Sequence, residues 1–227
     1  MLAMSWIPTS SAVTFPSLLP RSQVVVGPQD PSRRDVEQFI AHVYRERYGA
    51  TLHAYLPHLL AFRNGQGQLV AAVGLRLGSE GPLFVEQYLD EPVQALLSHR
   101  EIANVGRDRI AEIGNFAATA PGVARELIVR LTAMLHAARV RWVLFAATQQ
   151  LRNTLDRLHL VTVELGEASP ERLTGDASPW GSYYQARPKV VCGNVAAGLA
   201  LLHQARKHDA HAETGPDPSL QAMVGAQ

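Results

Sequence analysis

A carboxylate stands inside an otherwise apolar run at Ile110-Ala111-Glu112-Ile113-Gly114-Asn115-Phe116. Burying such a group is costly unless it is paired or hydrogen-bonded, and burial raises its pKa towards the range useful to a general base. Gly114, two residues on, marks a place for a β-bulge, where a backbone N–H leaves the ladder and can face a ligand carbonyl. Ala120-Pro121-Gly122 then opens a helix, whose free N–H groups and dipole suit a phosphate or pyrophosphate. Base, carbonyl-polarising amide and anion cradle thus fall in one strand–turn–helix unit. In the competing arrangement Glu112 pairs with Arg107 or Arg109 and Gly114 only relieves packing; spacing leaves both open.

Two further stretches carry chemistry-bearing side chains. Trp180-Gly181-Ser182-Tyr183-Tyr184 gathers aromatic rings beside a glycine and hydroxyls, a combination that recognises ligands or partners, or else a late strand half in the core. Thr148, Arg152 and Asn153 follow the apolar run Trp142–Ala147, at the strand end where ligands collect in open α/β sheets. Arg152 there would meet a phosphate or carboxylate, or form a surface ion pair.

These groups must be positioned by the elements around them. Apolar residues at helical spacing predict a helix over 33–48 (Val36, Phe39, Ile40, Val43, Tyr44), stopped by Gly49. His58–Phe62 and Leu69–Leu77 flank an Asn64-Gly65 turn and read as a hairpin. A polar helical stretch follows near 91–97, then a strand over 109–116. Ala124, Leu127, Ile128, Leu131, Met134, Leu135 and Ala138 share one face of a long helix. A strand over 142–147, a short helix over 149–158 and a strand over 161–165 complete the pattern. The hairpin predicts antiparallel pairing, and the later strand–helix–strand units predict parallel pairing. The fold class is therefore α/β: a mixed, mostly antiparallel twisted sheet with helices on both faces, in one domain over 23–204. Residues 1–22 read as a flexible arm and 205–227, with Gly215-Pro216-Asp217-Pro218, as a disordered polar tail.

Composition narrows the function classes. The 227 residues, 47% hydrophobic, suffice for a sizeable core. Lys and Arg number 21 against 20 Asp and Glu, so no global basic field exists to hold nucleic acid by charge alone. The single cysteine, Cys192, excludes an intrachain disulfide and a Cys-rich zinc site, and its apolar neighbours suit an inert buried thiol. No metal site is expected, since His203, His208 and His211 fall in a polar segment without thiolates. No Gly-x-Ser-x-Gly elbow, phosphate-binding Gly-Lys-Ser/Thr loop or His-Glu-x-x-His motif occurs. The late apolar run Val190–Leu202 falls short of the roughly 20 residues that span a bilayer, so no transmembrane segment is expected. The first 20 residues lack Lys and Arg and are broken by Pro8, Pro16 and Pro20, which does not suit a signal peptide and favours a cytoplasmic protein.

Three separated segments carry a resemblance: Glu112-Ile113-Gly114-Asn115-Phe116-Ala117; Trp142–Thr148 with Leu151-Arg152-Asn153; and Trp180-Gly181-Ser182-Tyr183-Tyr184 with Pro188. Together, over about Val36 to Leu202, they resemble the thermostable hemolysin family, which in turn resembles GNAT-type acyltransferases and acyl-homoserine-lactone synthases. The resemblance implies transfer of an acyl group from a thioester donor to a small amine or amino acid. It places Glu112 on the strand that carries the catalytic carboxylate, with Asn115 as its companion. Gly114, Phe116, Thr119, Gly122, Arg125 and Asn153 would then hold the donor, and Thr148, Arg152, Trp180, Tyr183 and Tyr184 the acyl group or acceptor. The acetyltransferase pyrophosphate loop is reduced here to Thr119-Ala120-Pro121-Gly122-Val123-Ala124, with one glycine where two are usual. Acyl-CoA and acyl carrier protein therefore both stand as donor co-substrates, an aminoacyl-tRNA donor stays open, and no tightly bound cofactor is implied. A homodimer is compatible with the chain. The alternatives are a non-catalytic binding subunit on a degenerate fold of this type, and a membrane-active lytic protein.

Overall fold

Hydrophobic periodicity places most elements where the sequence predicts them, and the pairing between them is settled by tertiary contacts. The computed structural model describes residues 23–100 and 104–213, with side chains through 205; the expected arm at 1–22 and residues 214–227 lie outside the described residues. In chain order the elements are β1 (Gln23–Val26), α1 (Arg33–Tyr48), β2 (His58–Arg63), β3 (Leu69–Leu77), α2 (Val93–His99), β4 (Ile110–Ala118), α3 (Pro121–Ala137), β5 (Trp142–Ala147), α4 (Gln149–Arg157), β6 (Thr162–Glu167), β7 (Lys189–Asn194) and α5 (Val195–Glu213). α5 runs to Glu213, into the segment read as a tail.

The local causes are visible at each end. α1 buries Val36, Ile40 and Tyr44 and stops at Gly49, which adopts φ 65° and returns its N–H to Arg45. The β2–β3 turn is built by the Asn64 side chain, whose Oδ1 accepts the N–H groups of Gln66 and Gln68. α3 starts with Pro121 in its first turn, where the missing N–H costs nothing, and buries Leu127, Ile128, Leu131 and Leu135.

The strands form one sheet in the order β1-β2-β3-β4-β5-β7-β6. All neighbours are antiparallel except β4 and β5, which the α3 crossover makes parallel. The expected parallel partner of β5 in the second unit, β6, is not its neighbour. β7 lies between them, because Val190, Val191 and Cys192 are apolar enough to be covered on both faces, whereas β6 exposes Val163 and Glu164 and takes the edge. The apolar run at 190–202 thus divides into a strand and a helix at Asn194, whose Oδ1 accepts the Ala197 N–H. β1, which the sequence does not announce, adds to β2 at the other edge.

α1 and α2 cover one face of the sheet; α3, α4 and α5 cover the other. The parallel pairing of β4 with β5 lasts only through Ile110↔Trp142, Ala111↔Val143 and Glu112↔Leu144. Beyond it the register on β3 passes from Gly74↔Gly114 to Ala72↔Ala117, so Val73 faces both Asn115 and Phe116. That two-against-one arrangement is a β-bulge, with Asn115 at φ 49°. The bulged strand stays with β3, β5 stays with β7, and a gap opens between them. The bulge falls at Asn115, one residue past the glycine that hinted at it.

The loop carrying Trp180 is anchored to the end of α1 by the Ser182 backbone and hydroxyl and by the Tyr183 ring. Ser182 donates its N–H to the Tyr48 carbonyl at 2.8 Å, and Gly181 sits at φ 55° with the position of a Cβ only 2.1 Å from that oxygen. Replacing Gly181 with Ala is expected to destabilise the protein by more than about 1 kcal/mol in urea unfolding, because both the conformation and the space exclude a methyl group.

Candidate active site

Glu112 lies at the last paired position before β4 and β5 part, and it is 1% exposed. Its Oε2 accepts the Phe84 N–H at 2.7 Å and its Oε1 the Val85 N–H at 2.9 Å. These amides open a short 3-10 helix at Phe84–Tyr88. That helix is fixed by Glu86, whose carboxylate accepts the N–H groups of Leu83 and Val93 and pairs with Arg107 at 2.6 Å. Arg107 also donates to the carbonyls of Gly78 and Gly81. The pairing of Glu112 with Arg107 or Arg109 therefore does not occur. Arg107 is held by Glu86, Arg109 pairs with Asp108 at 3.1 Å, and amides satisfy Glu112 instead.

Burial pushes the Glu112 carboxyl from the ordinary 4.5 up to about 7, against the pull of the Phe84 and Val85 amides and of Arg76, its cross-strand neighbour on β3. Desolvation outweighs two hydrogen bonds here because no cation among the described residues contacts the carboxylate.

The bulge is braced from outside the sheet. Asn115 Oδ1 accepts the Leu56 N–H at 2.9 Å, and Leu56 packs over two glycines. A Cβ on Gly74 would come within 2.8 Å of Asn115 Oδ1 and 2.9 Å of Leu56 Cβ, so residues 51–56 can cross the bulge only because side chains are missing beneath them.

A cavity of about 520 Å³ passes through the gap between β4 and β5. Glu112, Arg76, Phe84, Trp180 and Tyr183 line it on the face covered by α1; Leu131, Leu155 and Gly198 line it on the other. The aromatic side is a continuous cluster: the Trp180 ring lies 5.3 Å from that of Tyr183 and 5.9 Å from that of Phe84, and Tyr183 stacks on Tyr44. Tyr183 and Tyr184 belong to a 3-10 helix, Tyr183–Ala186, and not to a strand.

Of the residues singled out from the sequence, Glu112, Gly114, Asn115, Phe116, Trp180 and Tyr183 meet in this cavity. The others lie outside its lining. Tyr184 hydrogen-bonds to the Tyr88 hydroxyl at 2.7 Å. The Thr119 N–H continues the sheet to Val70, and Gly122 and Arg125 stand on the first turns of α3. Thr148 caps α4 through the Leu151 N–H, and Asn153 accepts from Gln149. Arg152 donates to the carbonyls of Ala147 and Arg187 and to Gln149 Oε1, tying the end of β5 to the start of β7. Arg76, Tyr44 and the 51–56 loop are cavity residues that the sequence reading missed. Arg76 had a signal, a lone cation in the apolar run of β3; the loop had none. Cys192 is buried, and burial pushes its thiol up to about 11. Among the described residues no three His, Cys, Asp or Glu side chains stand together to hold a metal ion, and no helix is long and apolar enough to cross a membrane.

Solved structures share this fold. FeeM, an N-acyl amino acid synthase from uncultured soil microbes, superposes with a TM-score of 0.54 at 14% identity, over 82% of this chain and 96% of its own. The apo form of TofI gives 0.54 at 16% identity, over 81% and 97%. BjaI, a CoA-dependent acyl-homoserine lactone synthase crystallised with SAM and isopentyl-CoA, gives 0.51 at 13% identity, over 81% and 87%. The thermostable hemolysin family matches residues 26–199, and the chain belongs to that family. The comparison with curated proteins finds no match.

A carboxyl whose folded pKa lies above its unfolded value contributes fully to stability below about pH 4.5 and loses that contribution as pH rises through about 7. Relative to Glu112→Gln, the wild type is therefore expected to lose about 3 kcal/mol of stability between pH 4.5 and 7.5, read from paired urea unfolding curves.

Proposed function

We propose that the protein is an N-acyltransferase that moves an acyl group from a thioester donor, acyl-CoA or acyl carrier protein, to a small amine-bearing acceptor. The observation that carries this reading is Glu112: a buried carboxyl with a pKa of about 7, opening onto a cavity at the point where the two parallel strands part. A base that titrates near working pH combines a useful fraction of the charged form with real proton affinity.

In this mechanism the thioester lies in the gap with its carbonyl against the Gly114–Phe116 backbone. The acceptor nitrogen attacks the carbonyl carbon, and Glu112 takes the amine proton, directly or through a water. The C–S bond then breaks, and the proton that Glu112 took passes, directly or through water, to the departing thiolate, which leaves as a thiol and frees the carboxylate for another turnover. Trp180, Phe84 and Tyr183 wall the acceptor side. Arg152 and Arg125 lie outside the cavity; Arg76 is the Lys or Arg side chain that lines it among the described residues. Its place opposite Glu112 suits an acceptor with a carboxylate beside its amine, an amino acid. A surfactant N-acyl amino acid would also give such a protein the lytic phenotype that its family's description records.

Untargeted mass spectrometry of extracts from cells expressing the wild type or Glu112→Gln tests the reading. A new N-acyl species confined to the wild type is the expected result. In the purified reaction Glu112→Gln should lower kcat by about 10²–10⁴-fold, and wild-type kcat/KM should climb with pH through about 7. An unchanged rate in a folded Glu112→Gln protein overturns the mechanism.

A further inference from the structure

The cavity changes character as it crosses the sheet. Its acidic, basic and imidazole lining residues, His53, Arg76, Glu112 and Asp176, come from β3, β4 and the loops that carry Leu56 and Trp180. Every lining residue contributed by α3, α4 and α5 is uncharged. The one hydroxyl among them, on Thr132, is turned into its own helix, donating to the Ile128 carbonyl at 2.9 Å. Its methyl group is left facing Gly198 of α5, where a Cβ would stand 3.7 Å from Thr132 Cγ2 and 3.2 Å from Leu160 Cδ2. The walls that the three helices supply beyond the gap are thus hydrocarbon, with Thr162 of β6 and Asn194 of β7 as polar lining residues from the sheet, and the clearance between α3 and α5 exists because residue 198 has no side chain.

An apolar void of this kind holds water poorly, and leaving it unfilled costs stability, so a fold that keeps one is built to fill it with a hydrocarbon ligand. The void is continuous with the site of Glu112 through the opening between β4 and β5. We propose that this compartment receives the tail of a medium- to long-chain fatty acyl group, threaded through the sheet, and that Gly198, with Thr132 and Leu160, sets how far the chain can run. The proposal rests on the transferase reading for the thioester end of the chain. It goes further in naming the donor's acyl class and the residues that select it.

The test uses straight-chain primary alkanols, from hexanol to undecanol, titrated calorimetrically into the full-length protein. These neutral probes carry no head group that either donor carrier would recognise. Wild-type affinity should rise about fourfold with each added methylene, as burial of a CH₂ group predicts. In Gly198→Leu the rise should stop at a shorter chain, and in Gly198→Ala at an intermediate one. Gly198 lies within α5, so both substitutions favour the helix; Thr132→Leu, reaching the same clearance from α3, gives an independent second variant. Wild-type affinity that does not depend on chain length overturns the proposal, as does a rise that stops at the same length in the wild type and all three variants. Failure of the transferase reading shows differently: the chain-length dependence is present but wild-type cells contain no N-acyl product. N-acyl products bearing only acetyl or butyryl groups, with flat alkanol affinities, leave the transferase standing and remove the fatty-acyl compartment.

Discussion

The hydrogen bonds that Phe84 and Val85 donate to Glu112 place an ionisable group where the sheet opens, and they do so without a cation. A contacting Arg would hold the carboxylate ionised and its pKa low, giving a structural ion pair with little appetite for a proton. Two amides stabilise the charge less than desolvation penalises it, so the group titrates near 7. The arrangement needs the Phe84–Tyr88 helix to stay in position. The Glu86–Arg107 pair, with the carbonyls of Gly78 and Gly81, secures it. The cation near the site thus acts one step away from the carboxyl, by holding the loop that holds it.

The opening itself follows from competition among strands. β4 is drawn to β3 by a long antiparallel ladder, and β5 to β7 by another; their own parallel contact ends after Glu112. The Asn115 bulge bends β4 just where that contact lapses, and Leu56, seated on Gly74 and Gly114, keeps it bent. A cavity that traverses a sheet is rare because it leaves strand edges unpaired, and here helices and loops on both faces shield those edges. Its two ends differ: charged side chains and the Trp180 cluster gather beside Glu112, and aliphatic ones, with Phe116 and Phe145, beyond the gap.

Most elements were legible in the sequence because each carries its own period: α1, the β2–β3 hairpin, β4, α3, β5 and α4 all stand where apolar spacing puts them. The placement of β7 between β5 and β6 was not legible, since it depends on which of two apolar strands tolerates an edge. At the site, Glu112 announced itself as a carboxylate out of place, and Trp180 and Tyr183 as aromatic density. Its hydrogen-bond partners could not be read, because backbone amides leave no mark in a sequence, and the nearby Arg107 and Arg109 offered a more obvious match. Thr148, Arg152 and Asn153 were drawn into local work, capping α4 and tying strand ends, which polar side chains at a strand–helix junction readily do.

General-base catalysis at this site depends on the protonation state of one side chain. A ¹³C NMR pH titration of the Glu112 carboxyl carbon, assigned by comparison with Glu112→Gln, measures it directly. A midpoint near 7 is the expected result and identifies the buried group as a base poised for proton transfer. A midpoint at or below the ordinary 4.5 would show a carboxylate already ionised well below working pH, with little proton affinity, and the poised general-base role assigned to it would fall.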